Sequence, residues 1–64
     1  MSNFIEVHVN GHPRLINLRW VEEIWDNGKD GVRIYFAFNY PDACEQDNII
    51  VDETYDEIRR MIWR

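Results

Sequence analysis

The chain has 64 residues and a formal net charge of −5, from 12 acidic and 7 basic residues. A chain of this length has room for one domain, 1–64, and buries only about 60% of its unfolded surface, so we expect a further aid to stability such as self-association. The acidic balance leaves little positive charge to neutralise phosphates, and a nucleic-acid partner is therefore not favoured.

The first predicted element is a β-hairpin. Residues 5–9 alternate apolar and polar side chains, which is typical of a strand with one buried face. Asn10 and Gly11 follow, and this dipeptide suits a type I′ turn because both residues readily take positive φ. The next strand, through 15–18, starts close to Pro13. Proline has no backbone N–H, so we expect an edge position there.

The middle of the chain predicts two further strands separated by turns. The alternation slips between residues 17 and 22, which indicates a bulge, bend or short turn near Trp20. A polar, glycine-containing cluster at 26–31 predicts a turn. Residues 32–38 then alternate more regularly than any other segment, and we expect them to form the central strand. An acidic loop, 39–48, leads to the last strand.

The last third of the chain changes its hydrophobic period from two to about 3.6 residues, which predicts a strand that runs almost directly into a helix. The strand is short, apolar and β-branched. Thr54 and Glu57 have the spacing of a capping box, in which each side chain bonds the other residue's backbone N–H. The helix carries one apolar stripe, formed by Tyr55, Ile58, Met61 and Ile62.

These elements predict an α+β fold that is mainly β: a single small antiparallel meander of four to five strands with one C-terminal helix packed on the sheet. The residues that carry a family resemblance are Ile16-Asn17, Val21, Ile24, Val32-Arg33-Ile34-Tyr35, Ile50-Val51 and Glu53-Thr54-Tyr55-Asp56-Glu57-Ile58. In this order the chain resembles the small bacterial proteins of the flagellar FlbD type and their uncharacterised relatives. The strand spacing is also similar to that of the DNA-binding domains of LytTR regulators. The resemblance implies a small bacterial accessory or uncharacterised protein, with no catalytic residues to carry over.

Groups able to support catalysis or metal binding are few. His8 and His12 flank the predicted turn and can approach each other across the hairpin, but two histidines without further ligands make an incomplete metal site. We therefore expect both histidines to be solvent-exposed residues of the two strands. Cys44 is the only cysteine, and its acidic neighbours disfavour the thiolate. Those acids lack the order of a calcium loop. We therefore expect no enzyme, no metal and no cofactor.

The sequence also indicates where in the cell the protein is expected. No apolar stretch approaches the roughly 20 residues that a membrane-spanning helix requires. The first residues have neither a basic region nor an apolar leader, and a lone cysteine cannot form an internal disulfide. We expect a cytoplasmic protein without a membrane partner.

Aromatic side chains give the stronger lead to function. We expect Phe36, Phe38 and Tyr55 in the core, where the helix stripe meets the sheet. The remaining large rings are difficult to bury together in so small a core, and Trp and Tyr are favoured anchors of interfaces. The candidate interface residues are Trp20, Trp25, Tyr35, Tyr40 and Trp63.

Three functions are consistent with these features. The leading hypothesis is a non-enzymatic protein–protein interaction or accessory module. We expect it to form a homo-oligomer or bind another protein through the aromatic sheet face or an unpaired strand edge. The alternative is a nucleic-acid-associated regulator with a LytTR-like strand arrangement, which would use Arg14, Arg19 and Arg33. The third is an enzyme that uses Cys44 with a histidine.

Overall fold

The computed structural model describes residues 3–37 and 48–63. Within these residues the chain forms five β-strands, one α-helix and two short 3-10 turns. In chain order they are β1 (Phe4–Val9), β2 (His12–Asn17), the 3-10 turn Leu18–Trp20, β3 (Val21–Asp26), the 3-10 turn Gly28–Asp30, β4 (Val32–Phe36), β5 (Asn48–Val51) and α1 (Tyr55–Ile62). The predicted α+β, mainly β fold with a C-terminal helix is confirmed.

The strands lie in two antiparallel sheets. β1 pairs with β2 in one sheet, and β4 lies between β3 and β5 in the other, which confirms β4 as the central strand. The division falls at the 3-10 turn Leu18–Trp20, where the sequence alternation slips. The first sheet also lies beside β5, because the Asp52 backbone N–H donates to the His8 carbonyl at 2.7 Å. The end of β1 therefore lies beside the end of β5.

The Asn-Gly hairpin is confirmed. Val9 lies opposite His12 in the ladder, so Asn10 and Gly11 form a two-residue loop. Their φ angles are 53° and 83°, in the left-handed region that type I′ turns require.

The hydrophobic core lies where the two sheets and the helix meet. β4 contributes Val32, Ile34 and Phe36, in the alternation that the sequence predicts, and α1 contributes Ile58. Tyr55 is half-buried and packs against this core, whereas Phe38 lies outside the described residues. The other buried residues are Ile5, Val7, Ile16, Ile49 and Val51.

The predicted capping box starts α1. The Glu57 backbone N–H donates to the Thr54 hydroxyl at 3.1 Å, and the Thr54 backbone N–H donates to Glu57 Oε1 at 2.8 Å. The two hydrogen bonds hold the first turn in place, with Ile58 directed into the core. Among the described residues, α1 is the one α-helix, and no helix reaches the length and apolar character needed to cross a membrane.

Candidate functional site

The β3-β4-β5 sheet has one face against the core and one face turned away from it. On β4, Arg33 and Tyr35 alternate with the buried residues and so point away from the core. Side chains that are directly opposite in antiparallel strands share a face. The register therefore places two rows of three side chains together: Trp25, Arg33 and Ile50 in one row and Glu23, Tyr35 and Asn48 in the other. We call these six residues the outer face.

Three large apolar side chains of the outer face are exposed to solvent. The exposed fractions are 54% for Trp25, 44% for Ile50 and 37% for Tyr35. Single exposed apolar residues are ordinary on a protein surface, but a contiguous group of them marks an interaction site more often. The register places Arg33 between Trp25 and Ile50 and places Tyr35 two residues further along β4, so the three apolar side chains surround one guanidinium on the same face. We call these three side chains the patch.

The polar side chains of the outer face are bonded to their neighbours. The Trp25 indole N–H donates to Glu23 Oε1 at 2.7 Å, and an Arg33 guanidinium N–H donates to Asn48 Oδ1 at 2.6 Å. These bonds restrict the indole and the guanidinium, which reduces the entropy that they lose on binding. The outer face thus carries one carboxylate and one guanidinium, whose charges cancel, although the net charge of the chain is −5.

The predicted interface residues do not all lie together. The structure brings Trp25 and Tyr35 to the outer face. Trp20 lies in the first 3-10 turn, where it is half-buried and packs against the core, and its carbonyl accepts the Ala37 N–H at 2.7 Å. Tyr40 lies outside the described residues.

Trp63 lies at the C-terminal end of α1, is not one of the six outer-face residues, and is 74% exposed. The Arg59 guanidinium is 5.1 Å from the centre of its ring, in cation–π range. Trp63 also lines a groove of about 240 Å³ between α1 and β3. The other lining residues are Val21, Glu22, Glu23, Ile24, Tyr55, Ile58, Arg59 and Ile62.

Sequence reasoning missed Ile50 as a member of the patch. The signal was present, because β5 contains three consecutive apolar residues, Ile49, Ile50 and Val51. A strand with one covered face buries alternate residues, so burial of two of these three apolar residues turns the middle one outward. Ile49 and Val51 are 3% and 2% exposed, and Ile50 is the outward one.

The two histidines do not meet across the hairpin, and only His12 is exposed as expected, because His8 is half-buried. His8 lies opposite Pro13 and His12 lies opposite Val9, so the two side chains extend from opposite faces of the β1-β2 ladder. Throughout residues 3–37 and 48–63, no three histidine, cysteine or acidic side chains are grouped as metal ligands. Cys44 and the acids around it lie outside the described residues.

The three arginines of the nucleic-acid alternative lie in three different elements. Arg33 is on the outer face and bonded to Asn48, and the Arg19 guanidinium lies 5.8 Å from the centre of the Trp20 ring. Arg14 lies on β2, opposite Val7. Two of the three are therefore engaged with other side chains of the domain. The alternative gains no supporting observation and stays a prediction.

Comparison with known proteins identifies no relative of this chain. No protein-family model matches the chain, and neither a curated protein nor a solved structure gives a significant match.

Proposed function

We propose that this domain is a non-enzymatic protein–protein interaction module that self-associates through the outer face. The observation that carries this proposal is the patch of Trp25, Tyr35 and Ile50, three large apolar side chains exposed together on one sheet face. Burial of such a patch is favourable at about 25 cal/mol per Å² of apolar surface. Trp and Tyr are also the residues that most often anchor interfaces.

The charges of the outer face favour a second copy of the chain as the occupant. In a two-fold symmetric interface each residue meets the same surface that it belongs to. The outer face offers Glu23 and Arg33, so the carboxylate of one copy can meet the guanidinium of the other. An acidic chain that presents a charge-balanced apolar face has less repulsion to overcome there than elsewhere on its surface.

We also propose a cytoplasmic accessory role of the FlbD-like kind. What supports it is the residue order of the apolar positions and the capped helix, together with the acidic, cysteine-poor composition.

Sedimentation velocity at concentrations from about 1 to 100 μM tests the self-association, since transient small interfaces commonly dissociate in the micromolar range. We expect the wild-type chain to form a dimer in this range. Trp25→Ser removes the largest exposed ring of the patch and should leave a monomer with an unchanged far-ultraviolet circular dichroism spectrum.

Trp63→Ser is the matched control, because it removes an equally large exposed ring from the end of α1. We expect this variant to dimerise like the wild type. A wild-type chain that stays monomeric throughout the range contradicts the proposal. A dimer that survives Trp25→Ser contradicts the outer face as its interface, and loss of the dimer in Trp63→Ser alone places the contact at the α1-β3 groove.

A further inference from the structure

The segment between β5 and α1 is bonded to the tip of the N-terminal hairpin through both of its acidic residues. Asp52 accepts the backbone N–H of Gly11 at 2.8 Å and that of Asn10 at 3.3 Å. Glu53 accepts the backbone N–H of His8 at 2.8 Å through one oxygen, and its other oxygen lies 2.6 Å from His8 Nδ1. We call this arrangement the clasp.

The clasp connects parts of the chain that are distant in sequence. Its side-chain bonds span 41 to 45 residues, and the backbone bond from Asp52 to His8 adds a fifth contact. It joins the first sheet to the end of β5 and the start of α1. The hairpin tip itself is exposed at positions 10 to 12, so the apolar core does not hold it there. The clasp is thus the polar attachment of the tip.

One member of the clasp is a histidine, whose charge changes with pH. His8 is half-buried, and the charged side chains that face it are acidic: Glu53 at 2.6 Å, Glu6 of its own strand at 3.9 Å, and Asp52. The hydrogen bond to Glu53 raises the pKa of His8 above its ordinary value of 6.5, and the three carboxylate charges act in the same direction against partial desolvation.

We propose that the clasp is a pH-responsive latch, which holds the hairpin tip most tightly when His8 is protonated and loosens it above neutral pH. The protonated ring donates a charge-assisted bond to Glu53 and offsets the acidic surroundings. The neutral ring keeps a donor in one tautomer but leaves the carboxylates without this positive charge. Because folding favours the protonated form, the extra stability is complete below pH 6.5 and disappears as the pH rises through the higher value of the folded protein.

This latch acts in the opposite direction to a histidine that is buried neutral, which opens a structure on acidification. Here mild acidification closes the hairpin against β5, and mild alkalinisation loosens it. The latch is independent of the outer face, because none of the clasp residues belongs to that surface.

Amide hydrogen exchange measured by nuclear magnetic resonance tests the latch on the full chain. The amides at positions 8, 10 and 11 donate directly to the two carboxylates, and each rate is divided by its intrinsic rate to give a protection factor at each pH. We expect protection about two- to fivefold higher at about pH 6 than at about pH 8.5, the range that a partly exposed ion pair supports.

Three variants and one reference amide distinguish a latch from a general change in stability. His8→Gln keeps a donor without a charge and should remove the pH dependence, as should Glu53→Gln. His12→Gln changes the exposed histidine on the opposite face and should retain it. Equal protection at both pH values in the wild type, or an unchanged pH dependence in His8→Gln, overturns the proposal. So does an equal change at the Ile34 amide of β4, which would indicate global unfolding.

Discussion

Replacement of Thr54 by alanine tests how α1 is held to the domain. The structure shows both hydrogen bonds of the capping box, at 3.1 Å from the Glu57 N–H to the Thr54 hydroxyl and at 2.8 Å in the reverse direction. Thr54→Ala removes the first bond outright and leaves the Glu57 N–H without that acceptor. Loss of such a cap costs about 1 kcal/mol of unfolding free energy.

The short helix makes this cost difficult to avoid. α1 has eight residues, little more than two turns, and so short a helix has little stability of its own. Its buried residue, Ile58, lies in the turn that the cap begins and is 1% exposed. Fraying of that turn would withdraw Ile58 from the core. We therefore expect a decrease in melting temperature of about 4–8 °C, the usual change per kcal/mol for a domain of this size.

Thermal and urea denaturation, followed by circular dichroism, measure this effect. Thr54→Ser is the matched control, because serine keeps the hydroxyl and should stay within a few tenths of a kcal/mol of the wild type, about the difference expected between good caps. If Thr54→Ala melts together with the wild type and Thr54→Ser, the capping box does not hold the start of the helix.

The same box makes a prediction about acid. The backbone N–H and then the hydroxyl of Thr54 lower the pKa of Glu57 below its ordinary value of 4.5. A lowered pKa in the folded state contributes stability that is complete above pH 4.5 and is lost as the pH falls through the folded value. The melting temperature of the wild type should therefore approach that of Glu57→Gln as the pH falls below 4.5. A difference that stays constant from neutral pH down to about pH 2, below the usual range of carboxyl groups, contradicts this role.

Two further predictions concern the core and a backbone turn. Ile34→Ala removes a completely buried side chain of β4 and should lower the free energy of unfolding, measured by urea denaturation, by about 2–5 kcal/mol. Leu15→Ala, at a position that is 67% exposed, is the control and should change this free energy little. Similar losses in the two variants would contradict the core position of Ile34. Gly31→Ala should cost about 1–3 kcal/mol, because its φ of 90° and ψ of −174° are nearly restricted to glycine and a Cβ would lie 3.0 Å from Ile50 Cγ2. Gly28→Ala, where a Cβ meets nothing within 4 Å, should cost less, and the reverse order would refute the role of the contact.

The elements that the sequence predicted correctly depend on interactions between neighbouring residues. The type I′ turn needs two residues able to take positive φ, and Asn10-Gly11 provides them regardless of the rest of the fold. The capping box needs Thr54 and Glu57 three residues apart. Both motifs are completed within four residues, so the sequence contains all their parts.

The site was only partly predictable, because a sheet face is assembled by register. Alternation in 32–38 implied that Tyr35 faces away from Ile34, but it did not say which residue of β3 lies beside it. A shift of one residue in the pairing would exchange the two faces of β3. In the structure a register shift lies between Val21 and Glu23, and the ladder after it brings Trp25 beside Arg33. Trp20, by contrast, packs on the core.

By itself the sequence determined the hairpin turn, the strand alternation, the capped helix and the mainly β class, since these follow from local backbone preferences and hydrophobic period. Only the tertiary structure decided that Trp25, Tyr35 and Ile50 share one sheet face and that Asp52 and Glu53 bond to His8, Asn10 and Gly11. The strand pairings of the outer face and the hydrogen bonds of the clasp join positions 8 to 45 residues apart, and their geometry depends on strand order and register. The change from strand period to helix period at residues 52–54 could be read from the sequence. The hydrogen bonds that Asp52 and Glu53 accept from the N-terminal hairpin could not, because they form only when the hairpin packs beside β5.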